Sequence, residues 1–206
     1  GQHNDQIAKD MAAMYLTLRG TPILYYGEEI GMQNNDPQRR EDVKDPIGRL
    51  GWPKEKGRDG ERTPMQWNDE PNAGFTTGIP WNAIPVTYKT YNVEDEAKDP
   101  NSILNWYKAL LALRHTDPAL LDGEYIPLNE SDAEVLSYLR KASGYAVLVA
   151  INMSAVPRTV HFDLARQGIA ATSAQTLLTT QSSLKEKASI AQISLEPYGV
   201  YIGAVK

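Results

Sequence analysis

Residues 20–32 read GTPILYYGEEIGM and are the part of the chain that decides its fold. Within them, residues 23–26 form a short apolar run that is preceded by a proline and closed by Gly27. β-Branched and aromatic residues between such breakers predict a strand that is buried on both faces. We therefore expect residues 21–26 to form an interior strand of an α/β structure.

Two carboxylates, Glu28 and Glu29, follow directly at the carboxyl end of this predicted strand. In parallel α/β sheets and barrels, ligands and catalytic groups lie at that end of the strands. Both glutamates are therefore candidate substrate-binding residues. The alternative is that they are ordinary loop charges that pair with Arg39 and Arg40.

Composition limits the classes of function. The chain has 206 residues, of which 41% are hydrophobic and 23% are charged, so it can bury a core. A net charge of -5 argues against a nucleic-acid or anionic-membrane partner. The cysteine count is 0, which excludes disulfides and thiolate metal sites and fits a reducing compartment. No segment has the ~20 apolar residues that cross a bilayer. We expect a cytoplasmic protein, with the periplasm as the alternative, that uses no metal and no cofactor.

The first 120 residues alternate regular and irregular segments. Apolar residues at helical spacing predict a helix over residues 5–19, capped by Asn4 or Asp5 and ended by Gly20. The long stretch 33–91 lacks any period but carries several aromatic residues, so we interpret it as an ordered loop.

A second helix is predicted over residues 99–115, where Asp99 would be the cap and Pro100 the first helical residue. Two helices and one buried strand cannot close a parallel sheet, because an eight-stranded α/β barrel takes about 250 residues. The chain is therefore expected to be the last part of a larger α/β fold.

After residue 123 the apolar period changes from helical spacing to two. Six short runs with turn residues between them predict an antiparallel β-sandwich: EYIPL, EVLSYLR, YAVLVAIN, RTVHFDL, AQTLLTT and VYIGAV. We therefore divide the chain into an α/β part, residues 1–122, and an all-β domain, residues 123–206.

Three segments together carry a resemblance to a known family. They read GTPILYYGEEIGM, ERTPMQWNDEPNAGF and NVEDEAKDPNSILNWYKALLALR. With them, the sequence resembles the α-glucosidase branch of the α-amylase superfamily, glycoside hydrolase family 13. Oligo-1,6-glucosidases, sucrose isomerases and transglucosylating α-glucosidases share these segments.

The resemblance implies a fold that agrees with the layout read from the residues. It is the C-terminal end of a (β/α)8 barrel, namely the last helix, strand and helix with a long loop on the catalytic face. An antiparallel β-sandwich domain follows. The remaining barrel strands would lie upstream of Gly1.

The chemistry that the resemblance implies is retaining glycoside hydrolysis by two carboxylates about 5 to 5.5 Å apart. A third aspartate in an Asn-His-Asp motif would grip the sugar. None of these motifs is present here, so we assign no catalytic residue to this chain. Residues 3–6 spell HNDQ, but the order is wrong and a predicted helix follows at once, so we do not take them for that motif.

The chain does contain candidate residues for substrate binding. A guanidinium offers a planar fork of donors for a carboxylate or for paired sugar hydroxyls, and the resemblance implies that Arg62 of RTPMQW reaches the subsite next to the cleaved bond. The alternative is a loop salt bridge from Arg62 to Glu61 or Asp59. Trp67 and Trp81 have the ring needed to stack on a sugar, but we expect both to pack in the interior.

Two functional hypotheses follow. The first is that the chain is part of a retaining α-glucosidase that hydrolyses short α-glucosides of the maltose, isomaltose or sucrose type, or transfers glucose from them. Its partners would be the sugar substrate and the missing N-terminal part of the barrel, and the 206-residue chain alone would be inactive. The second is a non-catalytic carbohydrate-binding or structural subunit on the same scaffold.

Overall fold

A computed structural model describes residues 3–184 and 186–206. The chain forms two compact units, one of residues 1–23 and 106–206 and the other of residues 24–105. Its α-helices are α1 (Asn4–Thr17), α2 (Pro46–Gly51), α3 (Val93–Lys98), α4 (Ile103–Thr116) and α5 (Pro118–Asp122). Among the described residues, none of the helices has the length and apolar character needed to cross a membrane.

Helix α1 forms where the apolar spacing predicts it, although both ends differ from the expectation. It begins at Asn4 with His3 at the N-cap, so neither Asn4 nor Asp5 is the cap. It ends at Thr17, before Gly20, and Leu18 takes up an extended backbone conformation. The helix buries Ala12, Ala13 and Leu16.

The prediction of a buried strand over residues 21–26 is wrong for this chain. Residues 21–25 have no regular secondary structure, and Ile23 is 88% exposed. Leu24, Tyr25 and Tyr26 are also exposed. A strand needs a neighbour to take up its backbone hydrogen bonds, and no described residue pairs with this run. The apolar sequence is present, but the sheet that would cover it is not formed by this chain.

The stretch 33–91 is ordered, as predicted, and it is not featureless. Asp45 caps α2 by accepting a hydrogen bond from the Ile47 amide at 3.0 Å, with Pro46 at the first helical position. Arg58 donates to the Asp45 carboxylate at 2.7 Å. This ion pair holds the pKa of Asp45 well below its usual range.

The second predicted helix, residues 99–115, corresponds to α4 alone, and a separate short helix, α3, precedes it. Asn92 caps α3, because its side chain accepts a hydrogen bond from the Asp95 amide at 2.9 Å. Asp99, the predicted N-cap, is instead the C-cap of α3. Helix α4 then begins at Ile103, so Pro100 lies between the helices and is not a first helical residue. The Asn105 amide donates to the Ser102 hydroxyl at 3.1 Å at the start of α4.

The described residues after α5 form eight strands, and the six predicted runs account for most of them. In chain order they are β1 (Glu124–Leu128), β2 (Val135–Ala142), β3 (Tyr145–Asn152), β4 (Arg158–Val160), β5 (Ser173–Thr179), β6 (Lys187–Ser189), β7 (Ile193–Leu195) and β8 (Val200–Val205). One antiparallel sheet has the order β1-β2-β3-β8-β5-β6, and a second pairs β4 with β7. Strands β6 and β7 were not predicted.

Strand β3 shows why this part folds as two layers. Seven of its eight residues are buried, in the pattern iBBBBBBB, because both faces of the strand are covered. Leu148 and Ala150 pack into a core shared with Ile193 and Leu195 of β7. Helices α1 and α5 pack against strands of the large sheet.

Two arginines tie the end of α1 to its surroundings. Arg140, which is fully buried on β2, donates to the Thr17 carbonyl at 2.6 Å and to the Gly123 carbonyl at 3.1 Å. Arg114 on α4 donates to the Leu16 and Leu18 carbonyls at 2.6 and 3.0 Å. The last carbonyls of a helix have no partner within the helix, so these guanidinium groups satisfy and neutralise them.

Candidate functional site

The turn after residue 26 places the two candidate glutamates. Glu28 and Glu29 lie in a single turn of 3-10 helix, Glu28–Ile30, between Gly27 at φ 90° and Gly31 at φ 63°. The Gly27 amide donates to the Glu29 carboxylate at 2.7 Å, and the Met32 amide donates to the Gly27 carbonyl at 2.9 Å. Glu29 therefore holds the turn together.

The alternative prediction was that Glu28 and Glu29 form ion pairs with Arg39 and Arg40. The structure shows other partners for both arginines. Arg39 donates to the Asp42 carboxylate at 2.8 and 2.9 Å. Arg40 donates to the Arg49 carbonyl at 3.4 Å. Both Glu28 and Glu29 are half-buried.

Arg62 lies near the end of the 21–26 segment. The Tyr26 hydroxyl donates to the carbonyl of Thr63, the next residue in the chain, at 2.8 Å. Burial and the neighbouring Tyr25 raise the pKa of Tyr26, while the positive charge of Arg62 acts against them. The structure therefore brings Arg62 together with Tyr26, two residues before Glu28. Sequence reasoning missed Tyr26, because it was expected inside a strand.

The side chain of Arg62 is exposed and forms no ion pair with a carboxylate among the described residues. Its backbone is held instead, since its amide donates to the Asp59 carbonyl at 3.1 Å and its carbonyl accepts from Asn82 at 3.0 Å. The predicted alternative, a salt bridge to Glu61 or Asp59, is not formed. The loop thus presents a fixed backbone with an uncommitted guanidinium.

Most of the remaining RTPMQW segment is buried and holds the loop in place. Thr63, Pro64 and Gln66 are buried, and the Gln66 side chain donates to the Tyr91 carbonyl. The Trp67 amide donates to the Ala73 carbonyl at 2.9 Å, which closes the NAGF turn.

Both tryptophans contradict the expectation that they pack in the interior. Trp67 is 49% exposed and Trp81 is 77% exposed. Trp81 lines a cavity of about 450 Å³ in the unit formed by residues 24–105, and Lys44 Nζ lies 5.5 Å from the centroid of its ring. The Pro-Trp-Asn sequence at 80–82 gave no sign of this exposure, because a solvent-facing and a packed tryptophan have the same local pattern.

The described residues contain no group of three or more His, Asp or Glu side chains placed to hold a metal ion. The roles of Arg62, Glu29 and Glu28 in substrate binding stay predictions.

Two models of known protein families match this chain. A family model described as the alpha amylase catalytic domain matches residues 1–123, which is more than half of the chain. The chain belongs to the α-amylase family. A second model, the maltogenic amylase C-terminal domain, matches residues 126–202.

Curated relatives of this α-amylase family chain include glucosidases. An oligo-1,6-glucosidase of Halalkalibacterium halodurans is 35% identical, over 95% of this chain and 37% of the relative. A probable alpha-glucosidase of Rhizobium meliloti is 38% identical, over 73% of this chain and 27% of the relative. The chain spans about a third of the length of the curated relatives that it matches.

Solved structures of other proteins show the same fold. Trehalose-6-phosphate hydrolase of Bacillus licheniformis superposes with a TM-score of 0.84 at 32% identity, covering 100% of this chain and 39% of that one. The trehalulose synthase MutB of Pseudomonas mesoacidophila gives 0.83 at 32%, covering 98% of this chain and 39% of that one. The predicted fold class, the end of a (β/α)8 barrel followed by an antiparallel β-sandwich, is confirmed. The domain boundary at residue 122 stays a prediction.

Proposed function

We propose that this chain is the C-terminal part of a retaining α-glucosidase that hydrolyses short α-glucosides or transfers glucose from them. The observation that carries the proposal is the uncommitted guanidinium of Arg62 on the family's RTPMQW loop, close to the segment that ends in Glu28 and Glu29. The names of the relatives support it, since they include oligo-1,6-glucosidases and an alpha-glucosidase. A structure of MutB in complex with glucose supports glucose as the sugar.

The roles follow from charge and geometry. Arg62 offers paired donors that match either two adjacent sugar hydroxyls or a carboxylate of the missing barrel strands. Glu29 is committed to the Gly27 amide and keeps the turn in place. Glu28, at the start of the same turn, is the carboxylate we expect nearer to the sugar or to a basic residue of the barrel.

The partner in this proposal is the N-terminal part of an α-amylase family barrel. Residues 23–26 are apolar and exposed, and they lack the neighbours that a barrel strand has on both sides. The catalytic carboxylates would come from that partner, so the 206-residue chain alone should not turn over substrate.

The test is release of p-nitrophenol from p-nitrophenyl α-glucoside. We expect no turnover by the chain alone, and turnover when it is co-produced with the N-terminal part of the Halalkalibacterium halodurans oligo-1,6-glucosidase. In the reconstituted enzyme, Arg62→Ala should lower kcat/KM roughly 10- to 100-fold, as expected for a lost charged hydrogen bond.

The matched control is Arg166→Ala, which removes an exposed arginine from the β-rich part of the chain. It should leave kcat/KM unchanged. Strong turnover by the isolated chain that disappears on Arg62→Ala or Glu29→Gln would show that the chain is a complete enzyme and would contradict the proposal.

A further inference from the structure

A cavity separate from Glu28, Glu29 and Arg62 opens in the unit of residues 24–105. It has a volume of about 450 Å³. One wall consists of residues 35–38 with Asp42 and Lys44, the other of residues 79–83, and Asp59 also lines it. This volume falls within the range of roughly 300–1,000 Å³ that is usual for small-molecule sites. None of the three side chains predicted to bind substrate lines it.

Hydrogen bonds hold the two walls together. The Asn35 side chain donates to the Ala83 carbonyl at 3.0 Å, and so connects one wall to the other. The Asn35 amide donates to the Gly60 carbonyl at 3.0 Å, and the Asn82 side chain donates to the Arg62 carbonyl at 3.0 Å. The cavity is therefore formed before any ligand binds.

One wall presents an open aromatic surface. Trp81 is 77% exposed although it lines the cavity, and Lys44 Nζ lies 5.5 Å from the ring centroid. An indole is a large and rigid apolar surface with one polar edge. Such a ring suits a ligand that has an apolar face and polar edges.

The charged groups of the cavity disfavour anionic ligands. Its charged side chains are three aspartates and one lysine, so their formal sum is -2, which disfavours phosphates and carboxylates: Asp36, Asp42, Asp59 and Lys44. No group of three or more acidic or His side chains placed to hold a metal ion occurs in the described part of the chain. An exposed aromatic ring beside carboxylate and carboxamide groups suits a neutral ligand with many hydroxyl groups.

Asp59 supplies an acceptor that is fixed in place. It is only 6% exposed, and its Oδ2 accepts hydrogen bonds from the Lys44 and Asp45 amides at 2.6 and 3.0 Å. A carboxylate held in this way is a strong acceptor for a hydroxyl group.

We propose that this cavity binds the pyranose ring of a neutral sugar. The C–H face of the ring packs on Trp81, and its hydroxyls donate to Asp59 and Asp36. The carboxamides of Gln38 and Asn82 complete the polar edge. The site binds sugar without cleaving it and is independent of the catalytic function proposed above.

The test uses the full 206-residue chain, with methyl α-glucoside, maltose and isomaltose as probes. We expect a saturable change in tryptophan fluorescence and saturable heat in calorimetry. Trp81→Ala should weaken binding at least 10-fold, and Trp81→Phe should retain part of it. Trp67→Ala is the matched control, because Trp67 is also partly exposed but does not line the cavity, and it should leave the affinity unchanged.

Three results would overturn the proposal: no saturable binding by the folded wild-type chain, equal loss in both alanine variants, or binding unaffected by Trp81→Ala. A fourth concerns the reconstituted enzyme. If adding the barrel segment abolishes sugar binding at this site, the cavity is a contact for polypeptide. A failure of turnover alone would contradict the catalytic proposal and leave this one intact.

Discussion

Asp10 on α1 is a carboxylate that is 1% exposed, and its Oδ1 has no hydrogen-bond partner among the described residues. Burial raises the pKa of Asp10 to about 7, because the charged form loses its hydration and gains nothing in return. This residue has no part in the proposed chemistry, so its effect falls on stability.

The sign of that effect follows from proton binding. Between pH about 4 and 7 the folded chain holds a proton on Asp10 that the unfolded chain has released. The free energy of unfolding should therefore fall as the pH rises through this window. Asp10→Asn should be more stable than wild type by up to about 4 kcal/mol at pH 8, and should match it below pH 4. Urea unfolding at a series of pH values measures this.

Glu130→Gln is the control for this prediction, because Glu130 is an exposed carboxylate in the β-rich part of the chain. It should not reproduce the gain in stability at pH 8 that is expected of Asp10→Asn. If Asp10→Asn follows the wild-type pH profile in parallel, Asp10 is hydrated in solution and the prediction is wrong.

Arg140 gives a second prediction for a single residue. Its guanidinium is buried and donates to the Thr17 and Gly123 carbonyls, so Arg140→Met leaves these acceptors without partners. We expect a loss of about 2–4 kcal/mol in the free energy of unfolding, measured in urea. Arg166→Met, at an exposed arginine, should change it by less than about 0.5 kcal/mol. An equal and small change in both variants would contradict the role of Arg140.

The sequence indicated the environment of some single residues and not of others. Arg62 was identified as a substrate-binding candidate from the resemblance of its RTPMQW segment, and that role stays a prediction; the structure shows that its side chain is exposed. Trp81 was placed in the interior, since a tryptophan usually finds packing partners. Which surfaces lack a partner depends on contacts distant in sequence, and Tyr26 was missed for the same reason.

The turn that follows the 21–26 segment depends on a glycine at position 27. Gly27 has φ 90°, and a Cβ built on it would lie 2.5 Å from Met32 Sδ. Gly27→Ala should strain the turn by about 1–2 kcal/mol. Hydrogen exchange of the Met32 amide, which donates to the Gly27 carbonyl, should then be roughly 10-fold faster.

Gly78→Ala is the comparison for this turn. The nearest atom to a Cβ at Gly78 is Thr76 Oγ1 at 3.7 Å, an ordinary contact, so exchange at Met32 should be unaffected. Unchanged protection in Gly27→Ala would show that the turn accommodates a side chain there.

Elements with a strong and local pattern were predictable. The spacing of apolar residues gave α1, and the unbroken apolar run gave β3. Strands β6 and β7 have three residues each, too few for a period to show. Residues 21–26 have the composition of a buried strand, but strand formation depends on neighbours that this chain does not supply. The start of α4 was predicted too early, because Asp99 and Pro100 form a good start signal, whereas Asp99 is the C-cap of α3 and α4 begins at Ile103.

For the whole molecule, the proposed function predicts that an exposed apolar residue of the 21–26 segment contributes to assembly with the missing barrel segment and not to the stability of this chain. Ile23 is 88% exposed, so Ile23→Lys should change the stability of the isolated chain by less than about 0.5 kcal/mol. The same change should abolish the recovery of α-glucosidase activity with the added barrel segment. Urea unfolding and p-nitrophenol release measure the two effects.

Val156→Lys provides the comparison, because Val156 is an exposed apolar residue of the β-rich part. Recovery of activity should survive it. Equal recovery with both lysine variants would show that residues 23–26 do not contact the added segment.

Strand β8 lies between β3 and β5, although it follows every other strand along the chain. While the protein is being synthesised, the ribosome therefore releases two incomplete halves, β1-β2-β3 and β5-β6, before the strand that joins them exists. At about 5–20 residues per second, the interval from β5 to β8 is on the order of seconds. During that time the exposed edges of β3 and β5 are open to chaperones or to neighbouring nascent chains, so the yield of this domain should depend on translation speed.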